Sequence, residues 1–175
     1  MKITGMIRKI DELGRIVIPK EIRKILRLKT DQYLEIFLNN DEVILKKYFP
    51  IKGISEEVDI YFSVFSDQIK LPIFITDDEK IILADKQFRN TINESINEEI
   101  INLIEKRKTY ESQKVEEKQL FHLLKLKGFF YILPIIICGD CEGAAIVVSQ
   151  DQEELNQKKE YIELLVKLIV KTLEN

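Results

Sequence analysis

The sequence predicts two domains, a β-rich first domain with one short helix over residues 1–50 and an α+β second domain over residues 51–175. Three observations predict this division. A length of 175 residues suits one medium domain or two small ones. The first fifty residues carry 11 Lys and Arg against 7 Asp and Glu, whereas the remainder carries 16 against 23. Pro50 and Gly53 punctuate the chain where this charge balance changes sign.

The composition narrows the class of protein. Apolar residues make up 45% and charged residues 33%, which is typical of a globular protein and excludes a disordered one. The longest apolar run, Phe129–Cys138, is too short to cross a bilayer, and the first residues lack the apolar stretch of a secretory signal. Two cysteines are too few for a disulfide framework. We therefore expect a folded, cytoplasmic protein with no membrane partner.

Two hairpins are predicted in the first domain. Met6–Ile10 and Arg15–Val17 are apolar-rich runs separated by a turn in which Gly14 can take a positive φ. Tyr33–Leu38 and Val43–Lys47 flank a second turn rich in Asn and Asp. The runs Ile16–Ile18 and Ile36–Leu38 do not alternate cleanly, which indicates strands covered on both faces. Because fifty residues bury too little apolar surface to fold securely alone, we expect an interwoven dimer.

A short helix between the hairpins is predicted to begin at Pro19, since proline suits the first helical position. Ile22, Ile25 and Leu26 follow the i, i+3, i+4 spacing of one apolar face. The opposite face carries four cations and no acid: Lys20, Arg23, Lys24 and Arg27. Like charges at this spacing repel one another, so the stripe favours a polyanionic partner. The alternative is a merely solvated helix face.

The second domain is predicted to run helix, hairpin, helix, strands and helix. Apolar residues spaced by three and four indicate helices over 55–69, 97–108 and 152–173. A polar loop is expected over 109–118. Strands are expected at Pro72–Thr76, Ile81–Ala84, Gln119–Leu124, Phe129–Ile137 and Gly143–Ser149. This order implies an α+β domain around a central antiparallel sheet, with the first and last helices packed together and partly across a subunit boundary.

Residues that could support catalysis or hold a cofactor are few. His122 is the only histidine, and its apolar surroundings are typical of a packed side chain. The six glycines never cluster into a phosphate-binding loop. Cys138 and Cys141 fit a turn between two strands, with a subunit-bridging metal or a redox contact as the alternative. We assign no catalytic residue, no cofactor and no metal ligand.

The run Glu12–Lys24, followed by Leu34–Phe37 and Val43–Tyr48, resembles the AbrB-type transition-state regulators of spore-forming bacteria. This resemblance covers residues 1–50. It implies a swapped-hairpin barrel in which two chains interlock and bind double-stranded DNA through a shared basic surface. The positions that match the family's DNA-contacting residues are Arg8, Lys9, Arg15, Arg23 and Lys24. The cationic face of the short helix adds Lys20 and Arg27 as secondary candidates.

The length and the α+β remainder resemble those family members in which a GAF-like domain follows the barrel. The resemblance implies a second domain that regulates or assembles the protein, and whether it also binds a small molecule stays open. The favoured hypothesis is a transcription regulator of sporulation or transition-state genes, acting as a homodimer or homotetramer. An antitoxin with an interaction tail is the alternative. An enzyme in the second domain lacks any supporting set of residues.

Overall fold

The computed structural model describes residues 5–26, 28, 30, 33–47, 56–121 and 124–174. The chain divides into two compact units, residues 1–48 and 49–175. The predicted boundary at Pro50 and Gly53 lies outside the described residues, and so do Arg27 and His122.

The first unit contains one helix and one hairpin among its described residues. Helix α1 spans Lys20–Ile25 and is preceded by Pro19 at its N-cap. Strands β1 (Leu34–Asn39) and β2 (Glu42–Lys47) pair in antiparallel fashion around a two-residue loop. Asn40 in that loop has a φ of +51°, a left-handed conformation that asparagine tolerates better than most residues. The predicted helix and the predicted second hairpin are therefore confirmed.

The first predicted hairpin is wrong for the single chain, in which only its turn forms. Residues 5–10 and 15–19 are not strands. The N–H of Asp11 donates to the carbonyl of Arg15 at 3.1 Å, and the N–H of Gly14 donates to the carbonyl of Asp11 at 2.9 Å. The φ of Gly14 is +76°, which confirms the positive φ predicted for it in this turn. A strand forms when its backbone N–H and C=O groups pair with those of a neighbouring strand. Among the described residues of one chain, such hydrogen bonds form here only within the turn.

Among the described residues of the second unit, six strands form a central antiparallel sheet. The strands are β3 (Ile73–Thr76), β4 (Ile81–Ala84), β5 (Tyr110–Glu111), β6 (Glu116–Phe121), β7 (Leu124–Ile137) and β8 (Asp140–Ser149). Their order is β4-β3-β8-β7-β5, and β6 also pairs with β7. The predicted loop over 109–118 is partly wrong, because β5 and the start of β6 lie within it. Both pair with β7, which begins five residues earlier than predicted.

Three helices cover the sheet: α2 (Glu56–Ile69), α3 (Glu98–Glu105) and α4 (Gln152–Leu173). The side chains of Asn97 and Asp151 cap α3 and α4 by accepting hydrogen bonds from backbone N–H groups of the first turn. Helices α2 and α4 share one buried core with one face of the sheet, and α3 shares a second core with the opposite face. The predicted packing of the first and last helices of this domain is confirmed.

Strand β3 shows why the sheet is apolar on both faces. Ile73 and Ile75 belong to the core beneath α2 and α4, whereas Phe74 belongs to the core beneath α3. All three side chains are fully buried. Successive side chains of a strand point to opposite faces, so helices on both sides bury every position.

The β7–β8 hairpin contains the two cysteines. Cys138 and Gly139 form its two-residue loop, with φ of +50° and +87°. Cys138 is exposed, Cys141 is buried, and neither forms a disulfide. The predicted turn between two strands is confirmed. Within the described part of the chain, no cluster of His, Cys, Asp and Glu could hold a metal ion.

Candidate nucleic-acid interface

The proposed DNA-contacting residues lie on two adjacent stretches of the first unit. Arg8, Lys9 and Arg15 belong to the segment before α1, and Arg23 and Lys24 belong to α1 itself. All five side chains are exposed, as is the secondary candidate Lys20 at the start of α1. The structure thus leaves every described cation of the predicted site accessible to a large anionic partner.

Charged and apolar side chains lie on opposite faces of helix α1, as their spacing in the sequence predicted. Lys20, Arg23 and Lys24 follow the i, i+3, i+4 spacing of one helix face. Ile22 on the other face is half-buried, but Ile25 is 73% exposed. The apolar face of this helix therefore lacks a full cover within the described residues of one chain.

The turn between residues 11 and 15 includes a hydrogen bond to the side chain of one of these cations, Arg15. The Asp11 carboxylate accepts hydrogen bonds from the backbone N–H groups of Leu13 and Arg15, and from Nε of Arg15 at 2.7 Å. The backbone N–H of Arg15, followed by its side chain, holds the pKa of Asp11 below the ordinary value. The sequence analysis did not single out Asp11 as a partner of Arg15. The available signal was an Asp that opens a turn containing Gly14.

Exposed apolar side chains cover much of the first unit. Pro19 is the one residue there with a buried side chain, among those that the structure describes. Large apolar residues that remain exposed are Met6, Ile7, Ile10, Leu13, Ile16, Val17, Ile25, Leu26, Tyr33, Ile36, Phe37, Leu38, Val43 and Leu45. We call this set the open apolar surface. So many exposed apolar side chains on a small unit are typical of a protein interface.

The second unit leaves fewer large apolar side chains exposed among its described residues, including two on α2 and two on α4. Ile60 and Val64, one turn apart on α2, are 59% and 57% exposed. Tyr161 and Leu164 on α4 are 46% and 48% exposed. We call these four residues the helix stripe of the second unit.

A pocket of about 410 Å³ opens between the end of α2 and the residues that follow β4. Lys86 Nζ lies 2.7 Å from Asp67 Oδ1 in its wall, so these two charges neutralise each other. The pocket is lined by Ser66, Asp67, Lys70, Leu71, Pro72, Asp85, Lys86 and Gln87. Its walls combine both signs of charge with a similar amount of apolar surface, and so favour no particular class of ligand.

The second unit decides the family. Residues 54–174 match the family described as stage V sporulation protein T C-terminal, transcription factor. The chain is 36% identical over 155 residues to stage V sporulation protein T of Bacillus subtilis (strain 168), a match that covers 87% of both proteins. The chain belongs to the stage V sporulation protein T family. This family is one of transcription factors, and no catalytic family is indicated.

The first unit of this family member is similar to other regulators. Residues 7–51 match the family described as antidote-toxin recognition MazE, bacterial antitoxin. The chain is 52% identical over 50 residues to the transition state regulatory protein AbrB of Bacillus subtilis (strain 168), covering 29% of this chain and 52% of that protein. It is also similar to the solution structure of the N-terminal DNA recognition domain of Bacillus subtilis AbrB, at 47% identity. That match covers 31% of this chain and all of the other, with a TM-score of 0.26 that carries no argument about the fold.

These matches confirm two predictions made from the sequence. The resemblance of residues 1–50 to AbrB-type regulators is confirmed by the match to AbrB. The prediction of a DNA-binding transcription regulator is confirmed by the family of the second unit together with the AbrB match. Among the described residues, none of the helices combines the length and the apolar character that a membrane crossing requires.

Proposed function

We propose that this chain binds double-stranded DNA as an intertwined dimer, through Arg8, Lys9, Arg15, Arg23 and Lys24, and regulates sporulation or transition-state genes. Lys20 and Arg27 are secondary candidates for such contacts. One observation carries the proposal: the exposed cations and the open apolar surface lie on the same small unit. A second copy would cover the apolar surface and double the number of cations.

The dimer follows from what the single chain leaves incomplete. Residues 5–10 and 15–19 have strand-like composition but form no strands within one chain. Ile7 and Val17 in these runs are 88% and 73% exposed. Pairing the runs with those of a second chain would satisfy their backbone groups and bury these side chains together. The result would be the swapped-hairpin barrel that the family resemblance implies.

DNA affinity would come mainly from phosphate contacts made by these cations. Each phosphate neutralised by Lys or Arg releases condensed counterions, so affinity falls as the salt concentration rises. The planar guanidinium of arginine can also form two parallel hydrogen bonds with a base edge, and its donors are held more rigidly than those of the flexible lysine ammonium. Arg8, Arg15 and Arg23 are therefore the candidates for sequence-dependent contacts.

Arg23→Ala and Arg15→Ala test this surface. Each is expected to weaken binding and to lower the slope of log affinity against log salt by about one unit per lost phosphate contact. Folding should survive, because both side chains are exposed. Arg89→Ala, at an exposed arginine of the second unit, is the matched control. Unchanged salt slopes in both first-unit variants would contradict the proposed surface.

The second unit would hold dimers together as a GAF-like assembly domain. Its antiparallel sheet with helices on both faces is compatible with that fold class. The helix stripe formed by Ile60, Val64, Tyr161 and Leu164 offers an apolar surface for a second copy. Linking two DNA-binding units raises the apparent affinity through effective concentration, without adding a DNA contact.

Truncation after Pro50 tests the assembly role. The truncated chain is expected to remain a dimer that binds DNA more weakly and with less cooperativity than the full chain. Ile60→Asp in the full chain is the second arm, because a carboxylate on the helix stripe should disrupt assembly and leave the first unit intact. Equal midpoints and equal steepness in binding curves of the truncated and full chains would contradict this role.

An antitoxin role is the alternative, supported by the match over residues 7–51. That match is confined to the first unit. Antitoxins usually carry a short extended tail that wraps a toxin, whereas residues 56–174 contain a closed core around a six-stranded sheet, apart from the two residues not described there. The folded second unit therefore favours the regulator.

A further inference from the structure

One carboxylate holds both the backbone and the side chain at the turn before α1. Asp11 Oδ1 accepts hydrogen bonds from the N–H of Leu13 at 3.0 Å and from the N–H of Arg15 at 2.8 Å. Asp11 Oδ2 accepts a third hydrogen bond, from Nε of Arg15 at 2.7 Å. The shape of the turn and the direction of the Arg15 side chain thus depend on the same residue.

The two oxygens of Asp11 have separable roles. An asparagine could accept both backbone hydrogen bonds through its single amide oxygen, as in common Asx turns. It could not accept the third, because its other terminal atom is an N–H donor that would face the Nε–H donor of Arg15. The Oδ2 to Nε bond is therefore an addition that the turn itself does not require.

This bond leaves the far end of the guanidinium available. Arginine has five N–H donors, and Nε supplies one of them. The other four belong to the two terminal nitrogens, which can form parallel hydrogen bonds with a phosphate or with O6 and N7 of guanine. The Arg15 side chain is 71% exposed, so a DNA duplex can reach these donors.

Stabilisation of the fold does not account for the ion pair. The Asp11 side chain is 41% exposed, and exposed ion pairs contribute little to stability because water screens them. A carboxylate close to a polyanion also weakens binding by repulsion. What the pair provides is a restricted set of rotamers for a long side chain that would otherwise lose much conformational freedom on binding.

We infer that Asp11 is a positioning residue that holds the Arg15 guanidinium for sequence-dependent contacts with DNA. This inference rests on the proposed DNA surface of the first unit. It implies two opposite effects of the Asp11 carboxylate. Its charge lowers affinity for every duplex, and its hydrogen bond to Nε raises the preference for the right sequence.

The test compares two duplexes of equal composition, one selected from a random pool by the unaltered full chain and one with the same bases in shuffled order. Asp11→Asn keeps both backbone hydrogen bonds and removes the bond to Nε. It is expected to bind the shuffled duplex about 2-fold to 3-fold more tightly, because one negative charge is gone. The ratio of affinities, selected over shuffled, is expected to fall by about tenfold.

Glu12→Gln is the matched control. It removes an equal charge from the neighbouring exposed residue, which lies in the same turn. It should raise affinity for both duplexes alike and leave the ratio unchanged. A ratio that falls as much in Glu12→Gln as in Asp11→Asn would overturn the inference, since charge alone would then explain it.

The double variant separates positioning from a general effect on the turn. In an Arg15→Ala background, Asp11→Asn should leave the ratio where Arg15→Ala alone placed it, because no guanidinium remains to be held. A further fall in the double variant, or an unchanged ratio in Asp11→Asn alone, would overturn the inference. If Arg15→Ala binds both duplexes like the unaltered chain, Arg15 does not belong to the DNA surface, and the proposed function fails at that position.

Discussion

The two units of the chain differ in what covers their apolar side chains. Within the described residues, the whole buried hydrophobic core lies in the second unit, between Val58 and Ile169. In the first unit, Ile7 and Leu38 remain 88% and 80% exposed. The second unit closes its core within one chain because helices cover both faces of its sheet, whereas the first has one hairpin and a six-residue helix. Similar apolar patterns thus lead to a buried core in one unit and to exposed apolar side chains in the other.

The largest effect is expected from a charge on the open apolar surface. Leu38 is 80% exposed in a single chain, so Leu38→Asp should cost an isolated protomer little. In an intertwined dimer the same carboxylate would be buried without a partner, which is strongly unfavourable. We expect DNA affinity to fall by about 100-fold or more, as measured in a binding titration, although Leu38 is not a DNA contact.

Val115→Asp is the control for Leu38→Asp. Val115 is 43% exposed and lies in the second unit, outside both surfaces named above. This variant should bind DNA like the unaltered chain. If Leu38→Asp also binds like the unaltered chain, the open apolar surface is not an interface between copies, and the contrast between the two units needs another explanation.

The second largest effect is expected inside the closed core. A Cβ added at Gly143 in β8 would lie 1.8 Å from the carbonyl oxygen of Thr76, which is backbone and cannot move aside cheaply. Gly143→Ala is therefore expected to destabilise the second unit by about 3 kcal/mol or more, seen as a lower urea midpoint in circular dichroism.

Gly139→Ala is the matched control for Gly143→Ala, because it lies in the same hairpin but in open space. Gly139 has a φ of +87° and nothing within 4 Å of an added Cβ. Its cost should come from backbone strain alone, about 1 kcal/mol. Equal losses at the two glycines would show that the close approach of β3 and β8 does not limit stability.

The smallest effect concerns a polar cluster in the second unit. The hydroxyl of Tyr110 donates to Glu116 Oε2 at 2.6 Å, and this bond, with help from Lys118, holds the pKa of Glu116 below its ordinary value. A carboxyl with a lowered pKa stabilises the fold above its unfolded pKa, and that stabilisation is lost as the pH falls through the folded pKa. Glu116→Gln should therefore cost about 0.5 kcal/mol at neutral pH.

The pH dependence of that difference is the measurement. Urea unfolding of Glu116→Gln and of the unaltered chain should converge as the pH is lowered from about 5 towards about 2, because the native carboxyl is then protonated too. Glu117→Gln is the control, since Glu117 is exposed and its nearest lysine nitrogen, on Lys125, is 3.8 Å away. A difference that stays constant across this range would contradict the role of the Glu116 charge.

Much of the second unit could be predicted from local pattern. Helix α4 spans Gln152–Leu173 as its apolar spacing predicted, and α2 ends at Ile69 as predicted. The polar run around β5 and β6 could not be predicted, because those short strands form only where β7 offers backbone partners. Lys118 shows the same limit, since a lysine in a polar run gives no sign that it is buried beside Glu99 and Glu116.

In the first unit, the cations of the candidate site could be predicted from the sequence. Their hydrogen bonds to neighbouring side chains could not. Arg15 and Arg23 stand at positions that match the family pattern. The bond from Arg15 to Asp11 depends on a turn that brings residues four apart in an irregular segment into contact. The spacing of apolar residues cannot predict such a contact, because the segment is neither helix nor strand.

The sequence by itself determined the order of most elements, the charge contrast between the two halves and the family resemblance of residues 1–50. These properties depend on residues close together in the chain, where spacing and turn chemistry act directly. Only the tertiary structure decided which apolar residues are covered. The second unit buries Phe74 and Ile162 within one chain, whereas the first leaves Ile7 and Leu38 exposed, because burial depends on partners that are distant in sequence, and the described residues of the first unit offer few of them.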